Sequence, residues 1–254
     1  MIKSLNEENE LSGIDGYFQS IQALQSRVIE GQRQLLLRIA DRMAETIRRD
    51  GRIFVFGTGH SHMLAEEAFF RAGGLASVTP IFASMLMLHE SPTMSSLLER
   101  TAGLAGPLLD EYEPQPGEMI FIYSNSGVNQ MPVEMALEAK KRGLFVVSVS
   151  SWAYARVAPL SSIGKRLDEA ADLAIDNGGE PGDALAPVEG AGWKVGPSST
   201  VIGALIWNCL VTEAVYRLRA MGEEPPVIVS FNIQGAAERN TAHLAKWRKV
   251  NRHL

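Results

Sequence analysis

The sequence predicts an α/β fold: a doubly wound parallel sheet in three layers, preceded by a helical extension. Three observations carry that prediction. Short runs rich in β-branched and aromatic residues recur along the chain, helical stretches separate most of them, and a long amphipathic stretch precedes the first. At 254 residues the chain can bury one substantial core, and 46% apolar with 21% charged residues is ordinary for a globular protein.

Taken in order, residues 1–13 read as a frayed leader. In residues 14–49 the apolar positions Phe18, Ile21, Leu24, Val28, Leu35, Leu36, Ile39, Met43 and Ile47 fall at helical spacing, as two helices or one kinked helix. That stripe needs a partner, either the core or a second subunit. After Asp50-Gly51 the period changes. Strands are expected at 52–56, 77–82, 119–123, 145–150 and 173–176, with helices at 61–72, 93–111, 129–142 and 153–158. Parallel neighbours need crossovers, which the helices supply. Residues 176–199 form a long loop rich in Gly, Pro and Asp, of the kind that is often functional. An apolar helix follows at 199–220, then a short extended segment at 225–231 and a polar, basic tail at 243–254. Residues 1–34 are thus assigned to the helical extension, 35–222 to the α/β domain and 223–254 to a C-terminal segment.

Composition also narrows the function. A net charge of −5 gives no basic footprint for nucleic acid. Cys209 is the sole cysteine, so an internal disulfide and a Cys-based zinc site are both excluded. Residues 1–10 are polar and acidic without the apolar core of a secretory signal, and the longest apolar run, 201–215, is short for a membrane span and includes Asn208, Thr212 and Glu213. A cytoplasmic location is expected, with no membrane or nucleic-acid partner.

Open parallel sheets bind ligands where strands turn into helices. Three junctions here are alike: Gly57-Thr58-Gly59-His60-Ser61 after the first strand, Ser124-Asn125-Ser126-Gly127-Val128-Asn129 after the third, and Gly196-Pro197-Ser198-Ser199-Thr200 before the apolar helix. Glycine lets backbone approach an anion, helix-start N–H groups point at it, and hydroxyls add donors. The plainer reading is turn and N-cap chemistry, which accounts for any one junction alone. The Walker lysine is absent, and His62 stands where the last glycine of G-x-G-x-x-G would fall.

The ordered set G-T-G-H-S, S-N-S-G and G-P-S-S-T resembles the SIS (sugar isomerase) domain, and the resemblance spans most of the chain. It implies a five-stranded parallel sheet of flavodoxin-like topology and a phosphosugar ligand, with Ser61, Ser124, Ser126 and Asn129 around the phosphate. Asn129 stands where many members carry threonine or serine. Gly59, His60, Asn125, Ser198 and Ser199 complete the candidate binding set. G-P-S-S-T is similar to a segment of arabinose-5-phosphate isomerases, and G-x-G-x-S to that of N-acetylmuramic acid 6-phosphate etherases. The segments F-G-T-G-H-S-H-M-L-A-E-E and L-M-L-H-E resemble UPF0309-like bacterial SIS-domain proteins.

Isomerisation and elimination both need a base near neutrality with an acid partner. Glu90 is the candidate base and His89 its acid partner or an oxygen-binding group; the other reading of that pair is a solvated loop. His62 is a third catalytic candidate, though it can equally face solvent or a neighbouring subunit, and His60 can cap the first helix. Glu66 and Glu67 lie one turn beyond and read as surface residues. His60 and His62, two apart at a helix start, do not make a metal pair. Neither metal nor cofactor is expected. The expected activity is phosphosugar isomerisation, with a lyase or etherase, a binding-only regulatory module and a purely structural domain as alternatives. A homodimer or higher homo-oligomer is expected.

Overall fold

The computed structural model describes residues 12–254, so the acidic leader before Ser12 lies outside the described residues. Ser12 caps helix α1, Gly13–Gly31, accepting from Asp15 N at 3.2 Å. Helix α2, Arg33–Arg48, follows after a break at Gln32. The Gln32 amide explains the break: it accepts from Asp176 N at 2.9 Å and donates to Asp176 O at 2.7 Å, satisfying backbone groups of the last sheet strand. The two-helix expectation holds.

Strand β1, Ile53–Gly57, enters a 3₁₀ turn, Gly59–His62, and then α3, Met63–Ala68. The chain continues through β2, Val78–Pro80, a second 3₁₀ turn, Ser84–Leu86, and helices α4, Pro92–Leu98, and α5, Ala105–Asp110. Then come β3, Met119–Tyr123, α6, Gln130–Lys141, β4, Phe145–Ser150, α7, Trp152–Val157, α8, Leu167–Ala170, and β5, Leu173–Asp176. The five strands pair in parallel in the order β2-β1-β3-β4-β5. Side chains alternate across the sheet. Ile53, Val55, Phe121, Val147 and Ile175 face one core, while Phe54, Phe56, Ile120, Ile122 and Val146 face the other.

Three expectations need correction. The stretch 93–111 is two helices, because Gly103 turns the chain at a φ of +85° between α4 and α5. The loop 176–199 contains an antiparallel hairpin of β6, Ala184–Pro187, and β7, Lys194–Pro197, strands too short and too rich in Ala, Gly and Pro to show as β-branched runs. The C-terminus is no solvated tail. Helix α10, Ala236–Trp247, buries Leu244 and Trp247, Asn251 Nδ2 donates to Val78 O at 2.9 Å, and Val227 bridges to Leu75.

Helix α9, Ser199–Ala220, is long and apolar enough by composition to cross a membrane, with a mean hydropathy of 1.4 over its best window. In this fold it lies against α2 and buries Ile202, Ile206, Trp207, Leu210 and Leu218 in the core, so its apolar residues have a structural use. At the amino ends of β1 and β3, Arg52 and Glu118 form a buried pair. Nε and one terminal nitrogen of Arg52 meet the carboxylate at 2.7 and 2.9 Å, and the carbonyls of Tyr112, Glu113 and Val250 take the remaining donors. A buried guanidinium is tolerated when every donor is matched in this way.

Candidate functional site

The carboxyl ends of β1 and β3 are adjacent, with Gly57 paired to Tyr123. Between them the strand order reverses, since β1 leads back to β2 while β3 leads on to β4. Such reversal points open the crevice in which parallel sheets take ligands. Two of the three hydroxyl-rich loops lie there.

The first loop folds tightly over its own strand. A Cβ on Gly57 would stand 2.4 Å from Ser61 O and 3.0 Å from His62 N, so the turn closes only over glycine. Gly59 takes a φ of +57°, and Ser61 N donates to Thr58 O at 3.1 Å. Thr58 is buried and donates to Glu99 Oε2 at 3.0 Å. Ser61 is half-buried, and its hydroxyl has no partner among the described residues. His60 is exposed and caps nothing: no side chain hydrogen-bonds the start of α3.

His62 corrects an expectation. It does not face solvent: it is buried, with Nε2 2.8 Å from Glu66 Oε1 and its ring edge-on to Phe82 at a centroid distance of 5.1 Å. Burial pushes its pKa below the ordinary histidine value, partly offset by the Glu66 carboxylate. The imidazole is therefore neutral near pH 7. Glu67 is taken up by Asn208 and Arg71.

In the second loop, the buried Ser124 accepts from Gly127 N at 3.3 Å. Gly127 has a φ of +62°, and a side chain there would meet Ser150 Cβ at 3.2 Å. Asn125 Oδ1 accepts from Asn177 Nδ2 at 2.8 Å, and Asn177 Oδ1 accepts from Gly179 N at 2.9 Å, which ties this loop to the end of β5. Asn125 Oδ1 thus shapes the loop, while Asn125 Nδ2 has no hydrogen-bond partner among the described residues. Asn129 is the N-cap of α6 but its side chain makes no capping bond; Met131 N donates to Glu99 O at 2.9 Å and Pro132 has no N–H, so Gln130 N is the first-turn donor left unpaired among the described residues. Ser126 and Asn129 line a cleft of about 440 Å³ whose other walls carry Arg100, Tyr154, Leu160 and Ser162. Glu99 connects the first loop to the start of α6: one carboxylate oxygen accepts from Thr58, the other accepts from Arg100 at 2.9 Å, and its carbonyl accepts from Met131 N at 2.9 Å.

The third junction holds an anion of its own. Asp183 Oδ1 accepts from Ser198 N, Ser198 Oγ and Ser199 N at 3.1, 2.9 and 2.8 Å, and Oδ2 accepts from Ser199 Oγ at 2.6 Å. The carboxylate sits where the start of α9 would hold a phosphate. Ser198 and Ser199 are therefore structural donors here, and the phosphate candidates reduce to the first two loops.

His89 and Glu90 lie on an exposed loop ahead of α4, which Ser91 caps. Leu88 packs beside Gly59, with Cδ2 4.0 Å from the position of a Cβ there, so the His89-Glu90 loop borders the first loop. Neither side chain has a hydrogen-bond partner among the described residues. No group of three or more His, Cys, Asp or Glu is placed to hold a metal ion among the described residues. Sequence reading missed Arg100, Tyr154 and Ser162, which no motif marks, and reads Asn177 and Asp183 either as turn residues or as partners for sugar hydroxyls. The Gly-Asp and Asn-Gly pairs there were the available signal.

With this geometry in place, comparison with known proteins defines the class. The SIS domain family matches residues 16–151, and the chain belongs to it. Its nearer kin are UPF0309 proteins: it is 41% identical to that of Caldanaerobacter subterraneus over 95% of this chain and 100% of the relative. To that of Geobacillus thermodenitrificans it is 38% identical over 93% of this chain and 95% of the relative. Among solved structures, a phosphoheptose isomerase from Francisella tularensis superposes with a TM-score of 0.53 at 12% identity, covering 82% of this chain and all of that one. That likeness is one of fold, and the five-stranded parallel sheet behind N-terminal helices is the shared part.

Proposed function

We propose that the chain binds a phosphorylated sugar at the β1–β3 crevice and isomerises it by proton transfer. One observation carries this reading: two glycine-turned loops at the strand-order reversal carry the unpaired hydroxyls of Ser61 and Ser126, and the second loop leads into α6 with the Gln130 N–H unpaired among the described residues. Neutral donors of this kind suit a phosphate, whose charge the helix dipole of α6 also favours. The fold shared with a phosphoheptose isomerase and membership of the SIS family support the same substrate class.

In this reading Ser61, Ser124, Ser126 and Asn129 surround the phosphate, and Glu90 is the base that moves the proton between C1 and C2. Its exposed loop borders the first phosphate loop, and His89 beside it serves as acid or oxygen ligand. The buried His62 fits a neutral hydrogen-bonding role better than that of a proton donor. The test is a panel of pentose, hexose and hexosamine phosphates in deuterated water. Ligand-dependent thermal stabilisation is expected, with deuterium entering C2. Glu90→Gln should abolish exchange and retain stabilisation. Stabilisation without exchange in the wild-type chain would favour the binding-only alternative, and no stabilisation by any member would overturn the reading.

A further inference from the structure

The phosphate loops do not use a cation, yet one stands at their edge. Arg100 lines the cleft together with Ser126 and Asn129 of the second loop. Only one of its three nitrogens is engaged: NH1 donates to Ser96 O, Ser96 Oγ and Glu99 Oε1 at 2.6, 2.7 and 2.9 Å. These bonds fix the guanidinium while Nε and NH2, the two donors of one edge, have no partner among the described residues. The side chain is 57% exposed, so that edge is accessible.

Elsewhere on the cleft wall the Tyr154 hydroxyl has no partner among the described residues, whereas the unpartnered Ser161 Oγ is sealed from solvent. Ser162 donates to Gln130 Oε1 at 2.9 Å, which holds that wall against the start of α6. At about 440 Å³ the space exceeds what a phosphate fills, and it starts at the residues assigned to the phosphate.

We propose that this cleft is a subsite for a carboxylate on the phosphosugar, read by the free edge of Arg100. Two parallel N–H donors match a carboxylate in bidentate fashion, whereas an ammonium offers only a point charge. Glu99 is then a positioning residue, since it holds both Arg100 and Thr58 and so sets the spacing between the carboxylate subsite and the first phosphate loop. The inference rests on the phosphosugar reading and adds the acidic substituent to it.

Titration calorimetry on the full chain with two matched pairs tests it: glucose 6-phosphate against 6-phosphogluconate, and glucosamine 6-phosphate against muramic acid 6-phosphate. The wild-type chain should bind the acidic member of at least one pair about tenfold or more tightly than its mate, the gain expected of a charge-assisted bidentate contact. Arg100→Gln should erase that preference, leave the neutral-ring mate within about twofold, and keep the melting temperature of an exposed substitution. Arg100→Lys should restore part of the preference. Equal affinities within both pairs in the wild-type chain, a preference that survives Arg100→Gln, or an equal loss for both members would each overturn the proposal while leaving the phosphosugar reading in place. Failure of all four ligands to bind would overturn that reading as well as this one.

Discussion

Gly57→Ala is the smallest change that should damage the proposed site without removing any donor. The added Cβ would lie 2.4 Å from Ser61 O, 2.5 Å from Ser61 C and 3.0 Å from His62 N, whereas ordinary contact begins at 3.4 Å. The blocking atoms are backbone, so no rotamer change relieves them. Ser61 must retreat by about 1 Å, at a cost of about 1–3 kcal/mol for overpacking of this kind. A displacement of about 1 Å in a positioned group can also cost about a hundredfold in turnover. Urea unfolding measures the first effect, and affinity for a phosphosugar with C2 exchange measures the second. Stability within about 0.5 kcal/mol of wild type together with unchanged affinity would refute the argument that glycine closes this loop.

Two further predictions concern stability. Arg52→Met leaves Glu118 buried without its cation and should cost about 3–5 kcal/mol in urea unfolding, with the double variant Arg52→Met, Glu118→Met recovering much of it; a single variant as stable as wild type would contradict the pairing. Burial lowers the pKa values of His62, His243 and His253 below the ordinary 6.5. The unfolded chain therefore binds more protons over that interval, so this contribution is complete above about pH 6.5 and is lost as pH falls through the lowered folded values. Melting curves from neutral pH down to about pH 5 should show the loss, and His62→Gln should flatten the slope; an unchanged slope would argue against burial of a neutral imidazole.

The sheet was legible because its strands announce themselves. Ile53–Gly57, Met119–Tyr123 and Phe145–Ser150 are buried on both faces and read as continuous apolar runs. The two phosphate loops were legible for a related reason: glycine at a strand end followed by a hydroxyl has few uses. The third loop misled because its composition is the same as that of a ligand loop, and only a partner 15 residues away, Asp183, reveals that its donors are spent. Long-range partners hid the C-terminus too, whose anchors, Trp247 and Asn251, dock on residues far back in the chain. Arg100 carries no local signature at all, since its role depends on α4 delivering it to the mouth of a cleft built by α6 and the segment after α7.

The convergence of the Ser61 and Ser126 loops on one anion is best tested by a crystal of the chain grown with a hexose 6-phosphate. The phosphate should lie at the start of α6, within hydrogen-bond reach of both hydroxyls and of the unpaired N–H groups of Asn125, Ser126, Val128 and Asn129. A phosphate bound elsewhere, or Ser61 and Ser126 opening into separate environments, would contradict the account.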